Sequence, residues 1–93
     1  MQIYLVVVKV RLCLPYAHWE SCFDADKPAR AAAGIEDVFR YPVQGEQAAL
    51  YGVKTAHPRM VHDFVYDPEK RPFVEASGFV VGREEITICE VND

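Results

Sequence analysis

The chain has 93 residues, of which 51% are hydrophobic and 26% are charged, and its formal net charge is −4. This length predicts one domain over residues 1–93, and this composition is that of a globular protein rather than of a disordered chain. Its ten basic residues are scattered along a net acidic sequence. This argues against a nucleic-acid partner, because such proteins carry clustered basic patches.

The three cysteines, Cys13, Cys22 and Cys89, are odd in number and show no paired spacing. They fit neither a disulfide framework nor a zinc ribbon, so we expect free thiols and a reducing, cytoplasmic location. The apolar start at residues 1–8 is followed by basic residues and lacks the basic leader and cleavage site of a signal peptide. It is also much shorter than the ~20 residues of a membrane helix, so we expect no membrane partner.

A valine-rich run from Ile3 to Leu12 predicts the first strand, which ends before Pro15. Alternate residues form one uniformly apolar face, which we expect to meet helices, and a second face that is apolar at its start and basic at its end. The first face comprises Tyr4, Val6, Val8, Val10 and Leu12, and the second comprises Ile3, Leu5, Val7, Lys9 and Arg11.

The remaining elements follow from helical periodicity, from alternation and from turn residues. Helices are predicted at 15–24, 28–33, 58–66 and 68–77, and strands at 35–43, 48–54 and 79–91. Asp26 is a candidate cap for the second helix, and Gly34 and Gly78 are candidate helix ends. Gly82 is expected to mark a bulge in the last strand.

This order of elements predicts a ferredoxin-like α+β sandwich, with helices on one face of a four-stranded antiparallel sheet. The second face of the first strand is then left without helices, and a long apolar sheet face usually marks an interface. We therefore expect a homodimer in which two sheets pack face to face. The odd-numbered residues from 35 to 43 are predicted to share one side, and Phe39 and Tyr41 join the uncovered face if the strand register places them there.

A weak internal repeat agrees with two βαβ halves. Residues 15–24 and 58–67 both run from a proline to an aspartate with the same spacing, and Lys27 and Lys70 follow at the same offset. The apolar arcs of the two helices do not coincide in this alignment, so the repeat does not indicate duplication.

His18 and Trp19 are the first candidates for a ligand site. Trp19 lies on the apolar arc of the first helix and could stack on a flat ligand, whereas His18 at the border of that arc could act as a catalytic acid or base. The alternative is that Trp19 belongs to the core and His18 to a half-exposed flank. Cys22, four residues after His18, falls within the apolar arc and is interpreted as a structural thiol.

Arg40, Arg11 and Tyr51 complete the candidate ligand-binding set. A basic residue on an otherwise apolar sheet is costly unless it is paired or used, and a guanidinium such as that of Arg40 can bind a carboxylate at two points. The alternative is pairing with an acidic residue of a neighbouring strand. Asp24 and Arg30 are interpreted as a structural tie. No phosphate loop, nucleophile elbow or metal-ligand spacing is present in the sequence, so we expect no metal and no cofactor.

Residues between Trp19 and Arg40 carry a family resemblance. They are Trp19, Phe23-Asp24, Arg30, Gly34-Ile35 and Phe39-Arg40. Their spacing is similar to that in small uncharacterised bacterial proteins of the dimeric α/β-barrel superfamily, which includes antibiotic-biosynthesis monooxygenase-like and stress-responsive A/B-barrel proteins. The resemblance covers about a quarter of the chain. It implies a homodimer with a pocket between helices and sheet, and it implies no single chemistry because this fold hosts unrelated functions.

Three functional hypotheses follow. The first is a small-ligand-binding or regulatory barrel protein, with a cavity beside Trp19 and with His18 and Arg40 near its opening. The second is a cofactor-independent monooxygenase-like or isomerase-like enzyme, in which His18 exchanges a proton with a small aromatic or anionic substrate held by Arg40. The third is a purely structural interaction protein. The enzyme needs His18 and an arginine at one cavity, whereas the structural protein needs that cavity filled with side chains.

Overall fold

The computed structural model of the protein describes residues 1–92, which form four strands and two pairs of short helices. In chain order the elements are β1 (Ile3–Arg11), α1 (Tyr16–Ala25), α2 (Lys27–Ala32), β2 (Glu36–Pro42), β3 (Ala48–Thr55), α3 (Arg59–Tyr66), α4 (Arg71–Ala76) and β4 (Glu85–Val91). None of the helices in the described residues is long and apolar enough to cross a membrane.

The strands form one antiparallel sheet in the order β2-β3-β1-β4. The two central strands pair from Tyr4 opposite Thr55 to Arg11 opposite Ala48. The helices lie on one face of this sheet, and each half of the chain contributes a strand, two short helices and a second strand. The predicted ferredoxin-like α+β fold is therefore confirmed.

The core lies between the helices and the face of β1 that was predicted to be buried. Val6, Val8 and Val10 on this face are fully buried, and they pack with Trp19 of α1 and Val61 of α3. Burying one such aliphatic side chain stabilises the fold by about 1.5–3 kcal/mol relative to leaving it in water. The alternation along β1 thus fixes which side of the sheet receives the helices.

A bulge at Val38 changes the facing predicted for the second strand. Asp37 and Phe39 pair with adjacent residues of β3, so Val38 is an extra residue on β2. The bulge leaves Asp37 on the helix-covered face and turns Phe39 and Tyr41 to the uncovered face. The expectation that the odd-numbered residues from 35 to 43 share one side is therefore wrong.

The glycines predicted to end the two helical regions do so, whereas the cap predicted at the break between α1 and α2 does not form. Gly34 and Gly78 end the helical regions, as predicted, with φ angles of +79° and +91°. Asp26 precedes α2, but its side chain makes no capping hydrogen bond. The carboxylate instead accepts a hydrogen bond from the ammonium group of Lys70, because both side chains lie at the junctions between paired helices.

The last strand is shorter than predicted. β4 begins at Glu85 rather than at Phe79, because the chain turns at residues 81–82, where Gly82 has a φ angle of +96°. Gly82 is thus a turn residue and not a bulge within the strand. Phe79 makes an isolated bridge with Leu12 and is buried in the core.

The uncovered side of the sheet, which we call the open sheet face, carries apolar residues from three neighbouring strands. They are Leu5, Val7, Phe39, Tyr41 and Leu50. The rings of Phe39 and Tyr41 stack with their centroids 5.8 Å apart, and Tyr41 is 62% exposed. No helix covers this face within residues 1–92, so its apolar area is available to a partner.

Candidate ligand-binding site

A small cavity lies between the helices and the covered face of the sheet. It is partly open to solvent, and its volume is about 80 Å³. That volume is roughly half of the ~150 Å³ of an engineered apolar cavity that holds benzene. The aromatic residues that line it are Trp19, Phe23, Tyr51, Phe64 and Phe73. A ligand ring would enter it in part and would extend through the opening, beside the exposed side chain of Phe73.

Three aromatic rings form the inner wall of the cavity. The centroid of Phe23 lies 4.8 Å from that of Trp19 and 4.9 Å from that of Tyr51. Trp19 and Phe23 project from the inward arc of α1 because they are four residues apart. Tyr51 reaches them from the covered face of β3, and its ring centroid is 6.0 Å from that of Trp19. Each tilted pair of this kind contributes about 0.5–1.5 kcal/mol beyond its buried area.

Two hydrogen-bond donors on this wall are unpaired. Neither the Tyr51 hydroxyl nor the Trp19 indole N–H is hydrogen-bonded to another group within residues 1–92, although both side chains are more than nine-tenths buried. In the same residues no polar side-chain atom is both sealed from solvent and without a partner. Both atoms therefore keep some accessible surface, and both residues line the cavity.

The protonation state of Tyr51 follows from its burial. Removal from water raises the pKa of the Tyr51 hydroxyl above its usual value, because the charged phenolate is disfavoured in an apolar surrounding. The group therefore stays protonated throughout the physiological range. It can donate a hydrogen bond to a ligand oxygen.

A buried ion pair forms one wall of the cavity. Nε and Nη2 of Arg30 donate to the two carboxylate oxygens of Asp37, each over 2.8 Å. The guanidinium carbon lies 3.6 Å from the centroid of the Phe23 ring. The pair connects α2 to β2 and neutralises the arginine, while the guanidinium plane supports the aromatic wall. The expected tie between Asp24 and Arg30 does not form, because Asp37 occupies Arg30.

A second ion pair lies at the opening of the cavity. Nζ of Lys70 donates to a carboxylate oxygen of Asp26 over 3.2 Å, and it lies 5.0 Å from the centroid of the Phe64 ring. Both charged residues line the cavity. Their side chains are 31% and 21% exposed, so they lie nearer to solvent than the aromatic wall does.

His18 lies outside the cavity, contrary to the sequence-based expectation. Its side chain is exposed, and its Nε2 is 2.8 Å from the carbonyl oxygen of Ala76, at the end of α4. A carbonyl only accepts, so Nε2 carries the proton and donates it. The Sγ atom of Cys22 is 3.8 Å from the same nitrogen, which in this tautomer cannot accept the thiol proton. The geometry joins α1 to α4 and gives His18 no contact with a ligand in the cavity.

Arg40 also lies outside the cavity. It is opposite Tyr51 in the sheet, but its Nε and Nη2 donate to the carboxylate of Asp24 over 2.6 and 2.7 Å. A carboxylate oxygen of Glu20 is 3.4 Å from its Nη1. The hydrogen bonds from Arg40 lower the pKa of the Asp24 carboxyl. Arg40 is therefore paired, and its partners come from α1 rather than from a neighbouring strand.

Arg11 lies on the same side of the sheet as the open sheet face. Its Nη1 donates to a carboxylate oxygen of Glu46 over 2.8 Å, and Nζ of Lys9 contacts the same carboxylate. Trp19 and Tyr51 are thus the two predicted ligand-binding residues that meet at the cavity. The structure does not bring Arg11, Arg40 or His18 to them.

Neither a thiol nor a metal site is part of this cavity. The three cysteines are free, and Cys13 and Cys89 are exposed. Among residues 1–92, no three histidine, cysteine, aspartate or glutamate side chains converge in a way that could hold a metal ion.

Sequence reasoning missed the two ion pairs that shape the cavity. A signal for one of them exists in a second alignment of the halves, because Asp26-Lys27-Pro28 and Lys70-Arg71-Pro72 occupy equivalent positions. Asp26 and Lys70 are 44 residues apart, as are the prolines and the glycines that end the two helical regions. In this structure these two equivalent positions are in contact. The opposite charges of Asp26 and Lys70 were therefore the sequence signal for this ion pair.

Comparisons with known proteins support the fold of this chain. No protein-family model and no curated protein matches the sequence. Among solved structures, SnoaB from Streptomyces nogalater, described as a cofactor-independent oxygenase, is similar with a TM-score of 0.61 and 13% sequence identity. The match covers 100% of this chain and 96% of SnoaB. A likeness at this identity shows a shared fold.

Arg30 and Arg40 provide a matched test of the cavity wall, since each holds an aspartate through Nε and Nη2. We expect Arg30→Met to lower the free energy of unfolding by about 1–3 kcal/mol, because it leaves the partly buried Asp37 carboxylate without its two hydrogen bonds. Arg40→Met should change this free energy little, since its partners are solvated. Urea unfolding measures both values, and equal losses would contradict the assignment of Arg30 to the structural wall.

Proposed function

We propose that this protein binds a small aromatic molecule in the cavity between its helices and its sheet. The observation that carries the proposal is the pair of unpaired donors, the Tyr51 hydroxyl and the Trp19 indole N–H, on an aromatic wall. Neither donor atom is sealed from solvent in the described residues, so each is accessible to a ligand acceptor. A ligand oxygen that accepts from these donors gains about 0.5–1.5 kcal/mol per hydrogen bond, and a flat ring adds stacking contacts.

The volume of the cavity admits part of one ring, so the smallest suitable ligand is a single ring with a small polar substituent that extends into the opening. For a molecule of about ten heavy atoms, typical contributions per atom give dissociation constants on the order of a millimolar. A larger natural ligand would gain affinity from the part that lies outside the opening. Binding without chemical conversion would suit a regulatory or carrier role.

The proposed assembly is a homodimer of the dimeric α/β-barrel type. It is supported by the open sheet face, where Leu5, Val7 and Leu50 form an apolar strip beside the stacked rings of Phe39 and Tyr41. A face of this kind gains stability when a second copy removes it from water. The ion pairs of Lys9 and Arg11 with Glu46 lie at one end of the strip and would form a polar rim.

A cofactor-independent oxygenase is the second candidate function. It is favoured by the likeness to SnoaB over the whole chain, together with a cavity in which the protonated Tyr51 hydroxyl could bind a substrate oxygen. Oxygen consumption with hydroquinone, in buffer without added metal or flavin, would distinguish the two candidates. Consumption that Tyr51→Phe abolishes favours the enzyme, and binding without consumption favours the ligand-binding protein.

Trp19 is the only tryptophan in the chain, so its fluorescence reports directly on the cavity. We expect benzamide and phenol to shift its emission with saturable dependence on concentration. Tyr51→Phe should weaken binding of benzamide about five- to tenfold, which corresponds to the loss of one hydrogen bond. Isothermal titration provides an independent measurement of the same dissociation constant.

Tyr41→Phe is the matched control for that titration, because Tyr41 lies on the open sheet face and not at the cavity. This variant should bind benzamide as the unmodified protein does. If neither probe alters Trp19 emission, or if both tyrosine variants weaken binding equally, the proposed site is wrong.

The proposed assembly predicts that light scattering at micromolar concentration gives twice the mass of one chain. Leu5→Glu should shift the protein towards the monomer, because it places a carboxylate within the apolar strip. Ile88→Glu is the control, since Ile88 is an exposed apolar residue opposite Val6 and therefore on the other side of the sheet. A monomeric unmodified chain would contradict the assembly.

A further inference from the structure

The charges that line the cavity are balanced within the protein. Three charged side chains line it among the described residues, namely Asp26, Arg30 and Lys70. Arg30 is held at two points by Asp37, and Lys70 is held by Asp26. Neither cation is therefore free to attract an anion, and the two unpaired donors deeper in the cavity are uncharged.

The two ion pairs differ in how easily a ligand could reach them. The Arg30–Asp37 pair is bidentate and its arginine is buried. The Asp26–Lys70 pair has one contact, is partly exposed, and joins residues from the two halves of the chain at the opening. A ligand in the cavity therefore lies near the Asp26 carboxylate and the Lys70 ammonium group, the two most accessible charges of its lining.

We propose that Asp26 determines the charge preference of the cavity, by occupying Lys70 and by repelling anionic ligands. The inference rests on the proposed function, because it concerns ligands of that same cavity. An uncharged aromatic amide, ketone or phenol reaches the donors of Tyr51 and Trp19 without disturbing an ion pair. A carboxylate at the opening must either approach Asp26, which carries the same charge, or displace it from Lys70.

The same geometry specifies how the preference can be reversed. Asp26→Asn keeps the shape of the side chain and removes its charge, so Lys70 becomes the nearest free cation to a bound ligand. A ligand carboxylate can then take the position of the Asp26 carboxylate and accept a charge-assisted hydrogen bond from Nζ. Lys70→Gln has the opposite effect, because it leaves the Asp26 charge without its partner.

Benzamide and benzoate test this proposal, because they have nearly the same shape and differ in charge near neutral pH. Titration of Trp19 fluorescence should show that the unmodified protein binds benzamide at least about tenfold more tightly than benzoate. Asp26→Asn should raise the affinity for benzoate relative to the affinity for benzamide about tenfold. High salt should reduce the gain, because exposed charges are screened.

Two further variants complete the test. Lys70→Gln should raise the preference for benzamide over benzoate further, and it keeps the proposal falsifiable if Asp26→Asn fails to fold. Asp63→Asn changes the net charge of the chain as Asp26→Asn does, but its side chain is 72% exposed and does not line the cavity. It should change neither affinity.

The outcomes separate this inference from the proposed function. If benzamide binds and benzoate binds equally well, or if Asp26→Asn and Asp63→Asn have the same effect, the role of Asp26 is refuted and the cavity remains a ligand site. If neither probe binds to the unmodified protein or to Asp26→Asn, the proposed function is refuted, and the charge preference is refuted with it.

Discussion

The ion pair between Arg30 and Asp37 is the contact on which the candidate site depends. The bulge at Val38 leaves Asp37 on the helix-covered face of β2, where it holds the Arg30 guanidinium against the Phe23 ring. Phe23 in turn lies between Trp19 and Tyr51, so the charged pair positions the aromatic wall. Because Arg30 is buried and Asp37 is largely shielded from water, each charge is costly without the other.

This arrangement leaves a cavity whose free groups are neutral donors. The cations near it are neutralised by Asp37 and Asp26, whereas the Tyr51 hydroxyl is unpaired and stays protonated. The electrostatics therefore favour an uncharged ligand, and they do not favour the anionic ligand that was expected from Arg40. A guanidinium does bind a carboxylate at two points, as expected. The carboxylate bound to Arg40, however, is that of Asp24 on α1 and not that of a ligand.

The fold could be predicted from the sequence because its main signals are local. The alternation of valines in β1 defines a buried face, and glycines at 34 and 78 end the helical regions. Trp19 was placed correctly on the inward arc by helical spacing alone. The bulge at Val38 has no distinctive sequence signal, and one extra residue reverses the facing of every residue after it in the strand.

The central claim is that a ligand contacts the unpaired donors of Trp19 and Tyr51. Nuclear magnetic resonance of nitrogen-15-labelled protein tests it directly, because one tryptophan gives one indole N–H resonance. We expect benzamide to shift this resonance progressively to saturation, as the N–H gains a hydrogen-bond acceptor. An indole resonance that stays unchanged while surface amide signals move would contradict the claim.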